Sequence, residues 1–284
     1  MAKFDIQAAI AEAAAKGPDM TQAQTGGGGY TPPEAGVCLA TLIGYIEIGN
    51  HTTPASNKYP EKKSDKVQLI FELSGGKNAP REDEKGNKFP HRITVTENLS
   101  LNEKANFFKL FKKLNYNGEA KHCSQLLGKH WLVTVVHDVK GEGESKRVYA
   151  NLRNEDGWTF RPPQRIEGDE LAGDVKIIPI KAPEVLSELR LFLWDFPSKE
   201  MWESLYIEGE YEERKDEKTG KVISPAKSKN VIQNKIKSAN NWVGSPMHEL
   251  LAGGDAELDL GEGLVEDKVE EAKTAADADP LAGL

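Results

Sequence analysis

The sequence predicts a mainly β protein with some α: a small five-stranded barrel, a smaller C-terminal helical extension and a disordered acidic tail. Three observations carry this. Five stretches between residues 37 and 152 show the apolar patterning of strands, and one helix-patterned stretch falls between the third and the fourth. The chain from Gly253 onward is acidic and has little to bury.

The chain has 284 residues, 38% of them apolar and 29% charged, which suits a soluble protein able to bury a core without staples. No apolar run approaches the roughly 18 residues of a membrane span. The N-terminus lacks the basic, apolar and cleavage regions of an export signal, so the expected location is the cytoplasm. Cys38 and Cys123 read as buried structural thiols, because a cytosolic chain of this size seldom keeps a disulfide. The net charge of -8 comes from 37 basic and 45 acidic residues. Ten of those acids and only two lysines lie beyond Gly253, so the body is balanced at 35 of each sign and the whole imbalance sits in the tail.

Residues 4–16, with Phe4, Ile6 and Ile10 among alanines, form a short helix stopped by Gly17-Pro18, and Gly26 to Gly29 make a flexible linker; together they occupy 1–29. A helix this short does not stand alone in water, so it docks or frays. Residues 37–48 are the first strand, with a bulge or bend expected at Gly44. A polar loop, His51 to Asp65, leads to the second strand, where Val67, Leu69, Phe71 and Leu73 alternate with Gln68, Ile70 and Glu72. After a second loop, 74–90, the third strand begins near Arg92 and carries Ile93 and Val95. Ser100 with Glu103 reads as a capping box for a helix reaching Leu114. Phe107, Leu110, Phe111 and Leu114 form its buried face, and Lys109, Lys112 and Lys113 point to solvent. Trp131, Val133 and Val135 mark the fourth strand, and Val148 to Leu152 the fifth. Five strands with a helix between the third and fourth is the order of an OB-fold barrel, placed here at residues 30–165. Residues 166–252 form the helical extension, interrupted by a charged hairpin from Glu208 to Ile223 that turns at Thr219-Gly220.

Several short words add to this order: Leu99 to Asn106 (LSLNEKAN), Leu126-Leu127-Gly128-Lys129, Val136-His137, Tyr149-Ala150-Asn151, Trp194-Asp195-Phe196-Pro197 and Ile232 to Ser238. With Gly36-Val37, Leu42 to Ile46 and Lys66 to Leu73, they resemble the OB-fold single-stranded DNA-binding proteins encoded by tailed bacteriophages. The resemblance covers roughly residues 30 to 245, and the charged hairpin is a departure from it. It implies a protein that coats single-stranded DNA in phage DNA replication, recombination or repair, in the host cytoplasm.

Such binding needs cations for the phosphates and aromatic faces for the bases. The candidate contacts are Lys58, Tyr59, Lys62, Lys63 and Lys66 in the first loop, Arg92 on the third strand, and Lys140, Lys146, Arg147, Tyr149 and Arg153 around the last hairpin. A solvated loop is the plain alternative for the lysines. Trp158 and Arg161 join the candidates, with two readings open for Trp158 and Phe160: a stacking platform, or closure of the barrel core. Tyr45 and Trp131 continue strand alternation and belong to the core.

The tail ends Asp277-Ala278-Asp279-Pro280-Leu281-Ala282-Gly283-Leu284. By resemblance, Asp277, Asp279, Leu281 and Leu284 would dock on replication or recombination enzymes, although an aromatic tip is missing. A merely solubilising tail is the alternative. Docking of the short N-terminal helix on another protomer would make a homo-oligomer. No cofactor or metal is expected, since His122, Cys123, His130 and His137 lack the spacing of a four-ligand zinc site. No nucleophile elbow or phosphate-cradling glycine loop points to an enzyme. The rival expectation is an OB-fold adaptor whose acidic tail mimics nucleic acid and binds a host or phage enzyme.

Overall fold

The computed structural model describes residues 31–56, 60–83, 85–141, 147–169, 174–215 and 222–253. The helix expected at residues 4–16, the glycine stretch and the acidic C-terminal segment lie outside these residues, as do Lys58, Tyr59, Lys146, Asp277, Asp279, Leu281 and Leu284. The chain divides into two compact units: one holds the chain up to Ile48 and Thr52–Leu191, the other Gly49–His51 and the chain from Phe192.

The first unit is built on an antiparallel sheet. Its strands are β1 (Gly36–Thr53), β2 (Lys62–Ser74), β3 (His91–Asn98), β4 (His130–Lys140) and β5 (Arg147–Asn151), in the spatial order β3-β2-β1-β4-β5. All five expected strands are present, and β1 is longer than its apolar pattern, at 18 residues. Among the described residues no ladder joins β3 to β5, so the sheet is not closed into a barrel. Gly44 does not interrupt β1. Its role is steric, because an added Cβ would lie 3.0 Å from Ile70 Cδ1.

Alternation sets the core. Val67, Leu69, Phe71 and Leu73 of β2 are fully buried, with Leu69 opposite Val95 and Phe71 opposite Ile93. Tyr45, Phe71, Trp131 and Phe160 fill the centre, and the Phe71 and Phe160 rings are 4.9 Å apart. Each such side chain contributes about 1.5–3 kcal/mol on burial. The Tyr45 hydroxyl donates to Glu47 Oε1 at 2.9 Å, and the Trp131 indole N–H donates to the Leu114 carbonyl at 2.9 Å. The second bond fixes the end of helix α1 (Asn106–Leu114) to the sheet.

The capping box is not formed. Helix α1 begins at Asn106 with Ala105 as its cap, and no side chain accepts from its first turn. Ser100 and Asn102 instead fold the preceding residues into a local turn. The Asn102 carboxamide oxygen accepts from Lys104 N–H at 2.9 Å, and the Asn102 carbonyl accepts from Ala105 N–H at 2.9 Å. Short polar side chains compete with helix in this way. Of the expected buried face, Phe107, Leu110 and Leu114 point inward and Phe111 is half-buried.

Past the sheet, strands β6 (Gln164–Asp169) and β7 (Asp174–Pro179) form a separate hairpin at the start of what the sequence marks as a helical extension. Its β-branched residues Ile166, Val175 and Ile177 favour strand over helix. The short strand β8 (Arg190–Phe192) pairs β1 off the main path. Between them the chain lies against β2 and β3. The Glu72 carboxylate accepts from Leu186 N–H at 2.8 Å and Ser187 N–H at 2.9 Å, and Arg92 Nε donates to Ser187 Oγ at 2.9 Å.

The second unit holds helices α2 (Lys199–Ser204), α3 (Val231–Lys237) and α4 (Pro246–Ala252) around Phe192, Trp202, Ile236 and Met247. The charged hairpin is present and extends farther than its sequence pattern, with Glu210–Tyr211 pairing Lys227–Ser228 and Arg214–Lys215 pairing Val222–Ser224. Its turn lies outside the described residues.

Candidate nucleic-acid interface

After β5 the chain makes a tight hairpin in which Arg153 pairs with Trp158 and Asn154 with Gly157, leaving Glu155-Asp156 as the two-residue turn. Trp158 is half-buried and held from two sides. Its indole N–H donates to the Asn106 carbonyl at 3.0 Å, and its ring lies 6.4 Å from the Phe160 ring. The Arg153 guanidinium stands 5.7 Å from the Trp158 ring centre, within cation–π range.

This hairpin and one flank of α1 enclose a groove of about 530 Å³, lined by Asn106, Lys109, Lys112, Lys113, Arg153, Glu155, Asp156, Gly157 and Trp158. The three lysines recur at i, i+3 and i+4, which puts them on one helical flank. Four cations against two carboxylates leave the groove with a net charge of plus two. Among the described residues none of these six charged groups is ion-paired. Lys109, Lys112 and Lys113 are exposed, as the sequence reading expects, and the hairpin folded beside α1 makes their exposed flank one wall of the groove. One signal was visible beforehand: α1 contains three lysines and no acid to pair with them.

The other candidates are distributed around this groove. Lys62 and Lys63 are exposed at the start of β2, and Lys66 Nζ donates to Thr53 Oγ1 at 2.7 Å. Glu97, opposite Val67 on β3, links Lys66 to the groove. Burial pushes its carboxyl above the ordinary range, while a hydrogen bond with Asn106 and the charges of Arg153 and Lys66 pull the other way. Strand β2, through Lys66, and the hairpin after β5, through Arg153, thus bring one cation each to the same carboxylate.

Lys140, Arg147 and Tyr149 sit at the opposite end of β5 from Arg153, with Lys140 paired to Arg147 in the ladder. Lys140 Nζ is 5.7 Å from the Tyr149 ring centre and 3.6 Å from Asp138 Oδ2, and Tyr149 is 43% exposed. Arg92 is held by Ser187. Arg161 pairs through its backbone with Leu132 and leaves its side chain exposed. Phe160 is a core residue, whereas Trp158 lines the groove. Tyr45 and Trp131 are buried, as their alternation requires.

The histidines and cysteines each have a local structural account. His122 caps the 3-10 turn Cys123–Leu126, while Nε2 of His130 meets the Ile180 carbonyl at 2.9 Å and Nε2 of His137 the Pro33 carbonyl at 2.7 Å. Cys38 and Cys123 are buried free thiols, and burial raises them to about 11 and about 12. No helix among the described residues is long and apolar enough to cross a membrane. No protein-family model, curated protein or solved structure matches the chain.

Proposed function

We propose that the protein binds single-stranded DNA and coats strands exposed in replication, recombination or repair, without catalysis. One observation carries this reading: a groove whose cations, Lys109, Lys112, Lys113 and Arg153, stand beside an indole already locked in place. Cations track the sugar-phosphate chain and the aromatic face takes a base, a pairing that tolerates sequence. A ring held by a hydrogen bond and by packing loses little freedom on binding. The spatial strand order, with a helix between the third and fourth strands, supports an OB-fold of the phage single-strand-binding type. In that reading Lys62, Lys63 and Lys66 extend the cationic path past Glu97. The acidic tail, through Asp277, Asp279, Leu281 and Leu284, recruits partner enzymes.

The test is a titration of fluorescent oligo-dT and of duplex of equal length at several salt concentrations. Single-strand affinity that exceeds duplex affinity and falls with salt is the expected result. Equal, weak binding of both, unaltered by removing residues 254–284, refutes the reading and favours the adaptor alternative.

A further inference from the structure

The groove contains more than a phosphate track requires. Glu155 and Asp156 form the tip of its hairpin, and neither carboxylate makes a hydrogen bond or ion pair among the described residues. Four cations line the same groove, none of them in a salt bridge among the described residues, with Arg153 over the Trp158 ring and Lys112 over the Phe108 ring. On a surface made only for phosphates, two free carboxylates are a cost, because they repel the ligand. Cations on the α1 flank and free acceptors on the hairpin tip, with a fixed indole in the same lining, complement a ligand that is anionic at one end and rich in N–H donors at the other.

A nucleotide with a donor-bearing base edge has that form. The four bases differ in what they offer a carboxylate. Thymine has one N–H, at N3. Cytosine and adenine each present one exocyclic amino group beside a ring nitrogen that only accepts. Guanine alone carries two adjacent, parallel donors, N1–H and N2–H, which match the two oxygens of one carboxylate. Bases in single strands are read on this edge, since nothing pairs with it. Bidentate contacts discriminate far better than single ones.

We infer that the groove is a guanine-preferring subsite: the phosphate lies along Lys109, Lys112 and Lys113, the base stacks at Trp158 and Arg153, and Glu155 or Asp156 accepts from N1–H and N2–H. This rests on the single-strand reading and adds base preference to it. The recognised unit is a guanine nucleotide, within a strand or free.

The experiment uses the full chain and 12-nucleotide oligo-dT carrying one central substitution, by dG, by deoxyinosine or by nothing, read by fluorescence anisotropy at one salt concentration. The dG strand is expected to bind roughly tenfold more tightly than oligo-dT. Deoxyinosine keeps N1–H and lacks the 2-amino group, so it falls between them. The double variant Glu155→Gln with Asp156→Asn abolishes the dG preference, read as the ratio of dG-strand to oligo-dT affinity in the same variant. Asp156→Asn places Asn before Gly157, a sequence that suits a tight hairpin, so the turn survives. Displacement of bound dG strand by guanosine monophosphate and not by thymidine monophosphate assigns the preference to the single nucleotide; a preference without displacement assigns it to the strand. Equal affinity for all three strands overturns the inference and leaves single-strand binding standing, as does a dG preference that survives in the double variant. Failure to bind any strand defeats the function itself.

Discussion

Neutralising the lysine wall of α1 changes the salt dependence of binding by an amount the groove fixes in advance. Each phosphate neutralised on a single strand contributes about -0.7 to the slope of log affinity against log salt. Lys109, Lys112 and Lys113 are in no salt bridge among the described residues and share one groove, so each is free to neutralise one phosphate. The triple substitution to glutamine is expected to make the slope shallower by about 2.1. Between 50 and 200 mM salt the native protein therefore loses about twentyfold more affinity than the variant. Glutamine has nearly the helix propensity of lysine, so α1 persists. Lys112 and Lys113 lie in its last turn, and losing their charge there costs about 0.3–1 kcal/mol each. Anisotropy titrations at four salt concentrations give the slope, and a thermal melt separates affinity from stability. A triple variant with the native slope refutes the reasoning, because the groove would then hold no phosphate.

Trp158→Leu is expected to weaken oligo-dT binding by about 1–3 kcal/mol, with Trp158→Phe losing less, as measured in the same titration. Glu97 has a raised carboxyl, so the folded chain takes up its proton before the unfolded chain does as pH falls. Stability contributed by this site accordingly declines as pH rises from the ordinary glutamate range through the folded value, and Glu97→Gln removes that decline in denaturant midpoints taken from pH 4 to pH 7. Protonation also relieves Arg153 and Lys66 of a negative neighbour, so single-strand affinity should rise as falling pH protonates Glu97 in the native protein and not in Glu97→Gln. Cys38 and Cys123 are held as thiols by burial, and at pH 8 a thiol-specific reagent should label the native chain far more slowly than the denatured chain. Glu72→Gln leaves one backbone N–H facing an amide donor, and is expected to lower stability by about 1–3 kcal/mol at an unchanged denaturant slope.

The sheet was legible because strand alternation is a local signal. Val67 to Leu73 announces a buried face whatever surrounds it, and the five strands and α1 follow from the same pattern. What periodicity cannot carry is competition between equally local options. Ser100 and Glu103 have the spacing of a capping box, yet Asn102 offered the backbone a nearer partner and the helix began at Asn106. The groove was less legible, because its two walls are separated in sequence by about forty residues. Lys109 is exposed as an amphipathic helix predicts, and only the fold shows that the turn at Glu155-Asp156 lies beside it. Trp158 could be assigned only in part from composition, since its indole N–H partner, the Asn106 carbonyl, belongs to that other wall. The β6–β7 hairpin was missed for a different reason. Its two short runs sit in charged surroundings, and the expected helical extension absorbed them.

The clip at Glu72 bears on where the chain can be cut. Glu72 is 4% exposed and its carboxylate faces two successive backbone N–H groups at Leu186 and Ser187, well past β5 in sequence and just before β8. A fragment trimmed at residue 165, where the strand pattern ends, would strip that cover and leave a carboxylate on the sheet's flank without its two donors. Arg92 would lose Ser187 in the same stroke. The first unit runs to Leu191, and residues 180–191, which carry almost no regular structure, act as its clasp.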